Sequence, residues 1–229
     1  MRREKKTTRR RTAWKRLAAL GILVVLAVSS GLWNISLERA LGQLARQHGL
    51  AEAQIAGEVT WFGGTPGSRH YVLQSREYLM LAQAEFKIFS GGWKAHLLCD
   101  FSTGTPAPAV FRTMTVEDIL QSELLNKSRS RDWPSPDRYM GVLVQVCDPA
   151  AAAVELEKTG QDSGAVVRVR VPQEQWQQGP FGPWFFYVFQ EPDREFANVR
   201  LRVLDGEGAP ILWTDDEYGT AEWYSFHWP

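Results

Sequence analysis

The sequence predicts an α+β fold, a mainly antiparallel sheet with two or three helices, preceded by one N-terminal transmembrane helix. Three observations carry this. A dense basic stretch, MRREKKTTRRRTAWKR, is followed at once by an uncharged apolar run over residues 17–33. Beyond it, short strand-like runs are separated by Gly- and Pro-rich turns, in the rhythm of hairpins rather than of a regular strand–helix–strand series. Ser, Asn and Asp residues stand before several of the remaining segments, where helix caps belong.

The apolar run has 17 residues, and a spanning helix needs about 20, with a range of about 17–25. Trp14 and Trp33 bracket it, as aromatic rings do at the two membrane interfaces. Extension to Ile35 brings it into range, with Lys15 and Arg16 reaching outward. The expected organisation is a basic cytoplasmic tail over 1–16, a signal-anchor over 17–35, a juxtamembrane helix over 36–49 and an extracytoplasmic domain over 50–229. The lipid bilayer is thus the first expected partner. The competing expectation is secretion after cleavage, because Ala27-Val28-Ser29 is a small-x-small site behind a short apolar run. A twin-arginine export signal fits poorly, since Thr12 and Ala13 follow Arg10 and Arg11 where hydrophobic residues belong.

Charge agrees with this orientation. Residues 1–16 hold nine Lys/Arg and one Glu, while the whole chain holds 26 basic and 26 acidic residues. The rest therefore carries 17 basic against 25 acidic residues, and the overall neutrality cancels two opposite halves. Basic residues near an anionic inner leaflet gain about 1 kcal/mol each. An acidic outer domain excludes nucleic acid as the expected partner, because phosphate neutralisation needs clustered cations.

Apolar content of 44%, with 12% aromatic, is that of a folded domain. The two cysteines, Cys99 and Cys147, each end an apolar run and precede Asp. Beyond a membrane such thiols are usually oxidised, so a Cys99–Cys147 disulfide is expected. It would close a loop of about 50 residues, for which chain entropy gives about 4 kcal/mol. Their spacing matches neither a zinc site nor a C-x-x-C pair.

The expected elements run as follows. Asn34 or Ser36 caps a helix over about 36–48, with Leu37, Leu41, Leu44 and His48 at helical spacing and Gly49 placed for a left-handed end. Strands follow at 57–62 and 69–74 around GGTPGS, then at 78–89 and 93–101 around Ser90-Gly91-Gly92. The 78–89 segment alternates poorly and is open to a part-helical reading. Thr115-Val116-Glu117-Asp118 resembles a capping box starting a helix to about 126. Residues 139–147 read as a central strand. Asp148-Pro149 reads as the start of a short helix ended by Gly160. Residues 165–171 alternate Val with Arg, as a strand with one wet face does. After a Gln- and Pro-rich loop, strands at 184–190 and 196–205 lead through Asp205-Gly206-Glu207-Gly208 into a hairpin ending near 214. The tail GTAEWYSFHWP is able to add a last strand.

Catalytic signatures for phosphate cradling, dinucleotide binding, zinc peptidase and nucleophile-elbow chemistry are absent from the sequence. No catalytic residue, metal ligand or cofactor is nominated. The four histidines lack ligand spacing, and Asp215-Asp216-Glu217 lacks the spaced pattern of a calcium loop. The candidate binding residues are aromatic: Trp176, Phe181 and Trp184 near a Gly-Pro-broken loop, and Trp223, Tyr224 and Trp228 in the tail. Such rings stack on sugars or anchor protein interfaces. The alternative is that Trp184 and its strand neighbours are core. The function expected from these features is a membrane-anchored extracytoplasmic binding or assembly module, meeting another envelope protein or a cell-wall glycan. The alternatives are an anchored envelope hydrolase using paired carboxylates, which need a defined separation across a cleft, and a structural subunit of a membrane complex.

Overall fold

The computed structural model of the protein describes residues 4–30, 36–59, 68–87, 92–104, 107–117, 138–189, 197–215 and 219–225. Among them are two α-helices and fourteen strands, and every strand pairing is antiparallel. The class is α+β.

Helix α1 is Glu4–Ser29 and α2 is Leu37–Gln47. The expected cap of α2 is in place: the Ser36 hydroxyl accepts from Arg39 N at 3.2 Å. At the other end Gly49 takes φ 76°, with Gly49 N bonded to Arg46 O and Leu50 N to Ala45 O. That pair of bonds is a Schellman end, and only glycine enters this φ region without cost. Leu50 folds back onto the same apolar cluster as the helix.

Strands β1 (Gln54–Val59), β2 (Ser68–Gln74), β3 (Tyr78–Lys87) and β4 (Gly92–Ser102) form a meander in sequence order, sheet A. The uneven alternation of β3 reflects two buried faces rather than a helix. Leu79 and Leu81 point to one side, Met80, Ala82 and Ala84 to the other. Opposite them, Leu98 of β4 is an extra residue in the ladder between Leu97 and Cys99, a bulge that leaves its side chain exposed.

Sheet B has the order β5-β6-β10-β9, with β5 Ala109–Glu117, β6 Arg138–Val146, β9 Gln177–Gly179 and β10 Gly182–Val188. Sheet C has the order β12-β11-β7-β8, with β7 Ala153–Gly160, β8 Val166–Pro172, β11 Ala197–Leu204 and β12 Pro210–Ile211. A two-stranded ribbon, β13 Trp213–Asp215 with β14 Gly219–Ala221, completes the set.

Three apolar clusters show how these layers stack. Helix α2 covers one face of sheet A through Leu41, Leu44 and Ala45 against Tyr71, Leu73 and Met80. The other face of A meets sheet B: Val72, Leu79, Leu81 and Phe101 lie with Val110, Leu143 and Trp184. The far face of B meets sheet C: Phe111, Val142, Val144 and Phe185 lie with Val154, Leu156, Leu201 and Val203. Sheet B is thus buried on both faces, which is why β6 is apolar at consecutive positions. Full burial of each Leu or Phe side chain is worth about 1.5–3 kcal/mol.

Two expected helices are not helices. Thr115, Val116 and Glu117 pair with Met140, Tyr139 and Arg138 in a long hairpin, so the capping-box start at Thr115 is the end of β5. The rest of that expected helix lies outside the described residues. The segment after Asp148-Pro149 is β7, the second interior strand of sheet C. Its Ala, Glu and Lys favour a helix by intrinsic propensity, but pairing on both edges and burial on the core face outweigh that preference. Asp148 instead caps a turn, its carboxylate accepting from Ala150 N at 2.8 Å.

Candidate functional site

Helix α1 runs without a break from the basic stretch into the apolar one. Over residues 14–26 every side chain is exposed, and Leu17, Leu20, Ile22, Leu23, Val25 and Leu26 each show more than half of their surface. Among the described residues nothing covers this stretch. Among the described residues no helix is long and apolar enough to cross a membrane. Within the apolar run the side chains of residues 27–28 and the whole of 31–33 lie outside the described residues.

The aromatic candidates divide. Trp184 is fully buried between sheets A and B. Trp176 is buried, stacked on Phe185 at 6.4 Å, and donates from Nε1 to Val171 O. Tyr224 is buried and seals an edge: Leu201 N donates to Tyr224 O and Tyr224 N to Leu201 O, which docks the tail on β11. These three are core: Trp176 and Trp184 turn inward on either side of a Gly-Pro turn that itself stays partly exposed. Trp228 lies outside the described residues. Phe181 and Trp223 remain half-exposed.

Trp223 sits on the outer face of sheet C. Alternation sends Tyr224 inward and Trp223 outward, over a lattice of charges. Glu157 of β7 accepts from Arg168 of β8 at 2.6 Å and from Arg200 of β11 at 2.5 Å. One rung along, Glu155 accepts from Arg202 at 2.7 Å, and Arg170 stands opposite it. The indole of Trp223 lies 4.7 Å from the Arg202 guanidinium, 5.0 Å from that of Arg200 and 5.9 Å from that of Arg168. Each such contact at an exposed site is worth about 0.5–1 kcal/mol. The face therefore combines one aromatic plane with four arginines on a domain that is otherwise acidic.

Glu157 shows 1% of its surface although it is charged. The hydrogen bond from Arg200 is the first cause holding its carboxyl below the usual range; burial opposes this, and Arg168 adds to it. A depressed carboxylate contributes stability above its unfolded-state value and loses it as pH falls through the folded one. We expect Glu157→Gln to cost about 2 kcal/mol near neutral pH, and this penalty to vanish on acidification below the ordinary carboxylate range. Urea unfolding at several pH values measures it.

A cleft of about 320 Å³ opens at the end of β6, lined by Arg76, Thr103, Gln145, Cys147, Asp148 and Phe181 among others. Gln145 in its wall belongs to a buried amide pair that the sequence reading missed. Gln74 Nε2 donates to Gln145 Oε1 at 2.5 Å and to Gly182 O at 3.1 Å. Phe181 N donates to Gln74 Oε1, and Gln145 Nε2 to Phe181 O. These bonds tie sheet A to the β9–β10 turn of sheet B. The signal available in the sequence was a lone Gln inside each of two apolar strands, YVLQ and VLVQV. Among the described residues Asp148 is the single carboxylate lining the cleft.

The expected Cys99–Cys147 bridge is not formed. Both thiols are free: Cys99 is buried on β4 of sheet A, in the A–B core, and Cys147 is exposed just past the end of β6 of sheet B. Desolvation pushes the Cys99 thiol up to about 12, and also raises Cys147, with Asp148 adding to the rise and a backbone hydrogen bond opposing it. Among the described residues no group of three His, Cys, Asp or Glu is able to hold a metal ion; Asp216 and Glu217 lie outside them. Comparison with protein-family models, with curated proteins and with solved structures finds no match.

Proposed function

We propose that the protein is a single-pass, membrane-anchored extracytoplasmic binding or assembly module. In this reading residues 1–16 stay in the cytoplasm, 17–35 sit in the bilayer and the 50–229 domain stands on the far side. The observation that carries it is α1: a basic stretch continuous with a helix whose described apolar side chains, over 14–26, are all exposed. Positive charge is retained on the cytoplasmic side and an apolar helix is stable in lipid, so the same helix anchors and orients the chain. The ligand is another envelope protein or a cell-wall glycan. It meets the outer face of sheet C around Trp223, since Trp176 and Trp184 are committed to the core.

The exposed Cys147 makes the topology measurable. An impermeant maleimide added to intact cells is expected to label the full-length protein in the membrane fraction, and a Cys147→Ser chain is expected to stay unlabelled. Thiolate is the reacting form. With Cys147 raised, labelling should accelerate with pH through and beyond the ordinary thiol range, while Cys99 reacts only after unfolding. Labelling confined to lysed cells would refute the orientation. A labelled soluble product beginning near Ser30 would replace the anchor with secretion.

A further inference from the structure

We propose that the open edge of β8 is a strand-addition site for an extended partner segment that alternates acidic and apolar residues. The inference rests on the binding-module reading and gives it a partner chemistry. It begins with register. Gly160 N donates to Ala165 O at 2.9 Å, which marks residues 160 and 165 as a bonded pair. In an antiparallel ladder bonded pairs recur every second residue. Lys158 and Val167, Leu156 and Val169, and Val154 and Val171 therefore exchange the bonds of β7 with β8. Val166, Arg168 and Arg170 turn their N–H and C=O groups the other way. Among the described residues β8 pairs with β7 alone, and among them this row is open. The far edge of β11, by contrast, is occupied by β12 and by Tyr224.

Side chains on this edge specify the occupant. Arg168 and Arg170 project from the outer face, both exposed. Arg168 shares Glu157 with Arg200. Arg170 makes no ion pair among the described residues, because Glu155 opposite it binds Arg202. On the other face Val167 and Val169 are half-buried at the rim of the B–C core, while Val166, 53% exposed, shares the outer face with the two arginines. A strand laid antiparallel along β8 would place every second side chain beside Arg168 and Arg170 and the intervening ones beside Val167 and Val169. Acidic residues satisfy the first set and apolar residues extend the core under the second. β7, with Val154, Glu155, Leu156 and Glu157, already presents this alternation to the other side of β8. A second copy of β8 is a poor occupant: in-face antiparallel registers that bring the arginines together oppose Arg168 to Arg168 or to Arg170, and like charges directly opposite destabilise a pair. The arginines thus guard the edge against self-association while leaving it open to an acidic strand.

The test uses the full chain in detergent and capped peptides of alternating Val and Glu, with alternating Val and Lys as the charge control. We expect the Val/Glu peptide to bind and the Val/Lys peptide not to. Arg170→Glu should weaken the Val/Glu peptide roughly fivefold or more and shift preference toward Val/Lys. In the antiparallel register the residues beside the arginines make the backbone bonds, so N-methylation of the Glu residues should abolish binding and N-methylation of the Val residues should spare it. Equal binding of the two methylated peptides, or no preference for Glu over Lys, would overturn the proposal. If the peptides fail while Cys147 is labelled from outside, the edge is not the site and the anchored-module reading stands. If Cys147 is labelled only after lysis, the peptide result in detergent stands independently of that topology.

Discussion

Trp184→Ala is expected to destabilise the domain by about 4 kcal/mol, within the range for deleting a large buried ring, and to lower the melting temperature by roughly 10 °C or more for a chain of this size. Trp184 is fully buried where β10 of sheet B meets sheet A. Its ring fills the space left by two glycines: a Cβ on Gly57 would lie 2.7 Å from Trp184 Cζ2, and one on Gly179 3.0 Å from Cδ1. Circular dichroism during heating measures the loss. Trp184→Phe retains most of the apolar contact and should cost less than half as much. Equal stability of the Ala variant and the parent would place this ring outside the core.

The second large effect is expected from one added methyl group. Gly179→Ala would drive its Cβ into Gln74 Oε1 and to 2.7 Å from Gln74 Cδ. Gln74 is fully buried and held by Gln145, Gly182 and Phe181, so it cannot swing aside without stranding a donor or acceptor. Overpacking costs about 1–3 kcal/mol and each buried group left unpaired about 1–3 kcal/mol; we expect a total near 3 kcal/mol. Gly206→Ala, with nothing within 4 Å of the new Cβ, should be close to neutral in the same urea titration. Gln74→Ala makes room for the methyl group, so the double variant should lose less than the two single losses added together. Strict additivity would show that the amide pair and Gly179 act independently.

How much of this was legible in the sequence depends on whether the signal was local. The α2 helix was, because Ser36, the Leu spacing and Gly49 each do their work within a turn. The strands β2, β4, β6, β8, β10 and β11 were, because their apolar runs and turn residues lie within one segment. β7 was not. Its Ala, Glu and Lys composition speaks for a helix, and its strand state is imposed by β8 on one edge and by β11, some 40 residues further along, on the other. β5 was not read as a strand at all, for the same reason: it is defined by pairing with β6, and its end by Arg138–Met140. The aromatic loop misled because burial belongs to the layer that covers a residue and not to the residue. Trp176 and Trp184 flank Gly and Pro, yet both are in the core. Trp223 is half-exposed, and the arginines beneath it come from strands far apart in the chain and leave no common motif.

The double burial of sheet B has a consequence for synthesis. Sheet A is assembled from strands that follow one another directly, so its contact order is low and it is able to form early with α2 on its back. Sheet B is not local: β6 must wait for β10, which is made after two strands of sheet C. During that interval β6, apolar on both faces, has lost the solubility of an unfolded chain without gaining its second cover. This is the window in which a nascent chain of this protein is most open to aggregation. Slowing the ribosome between residues 146 and 182 should therefore reduce the yield of folded protein more than slowing it anywhere within sheet A.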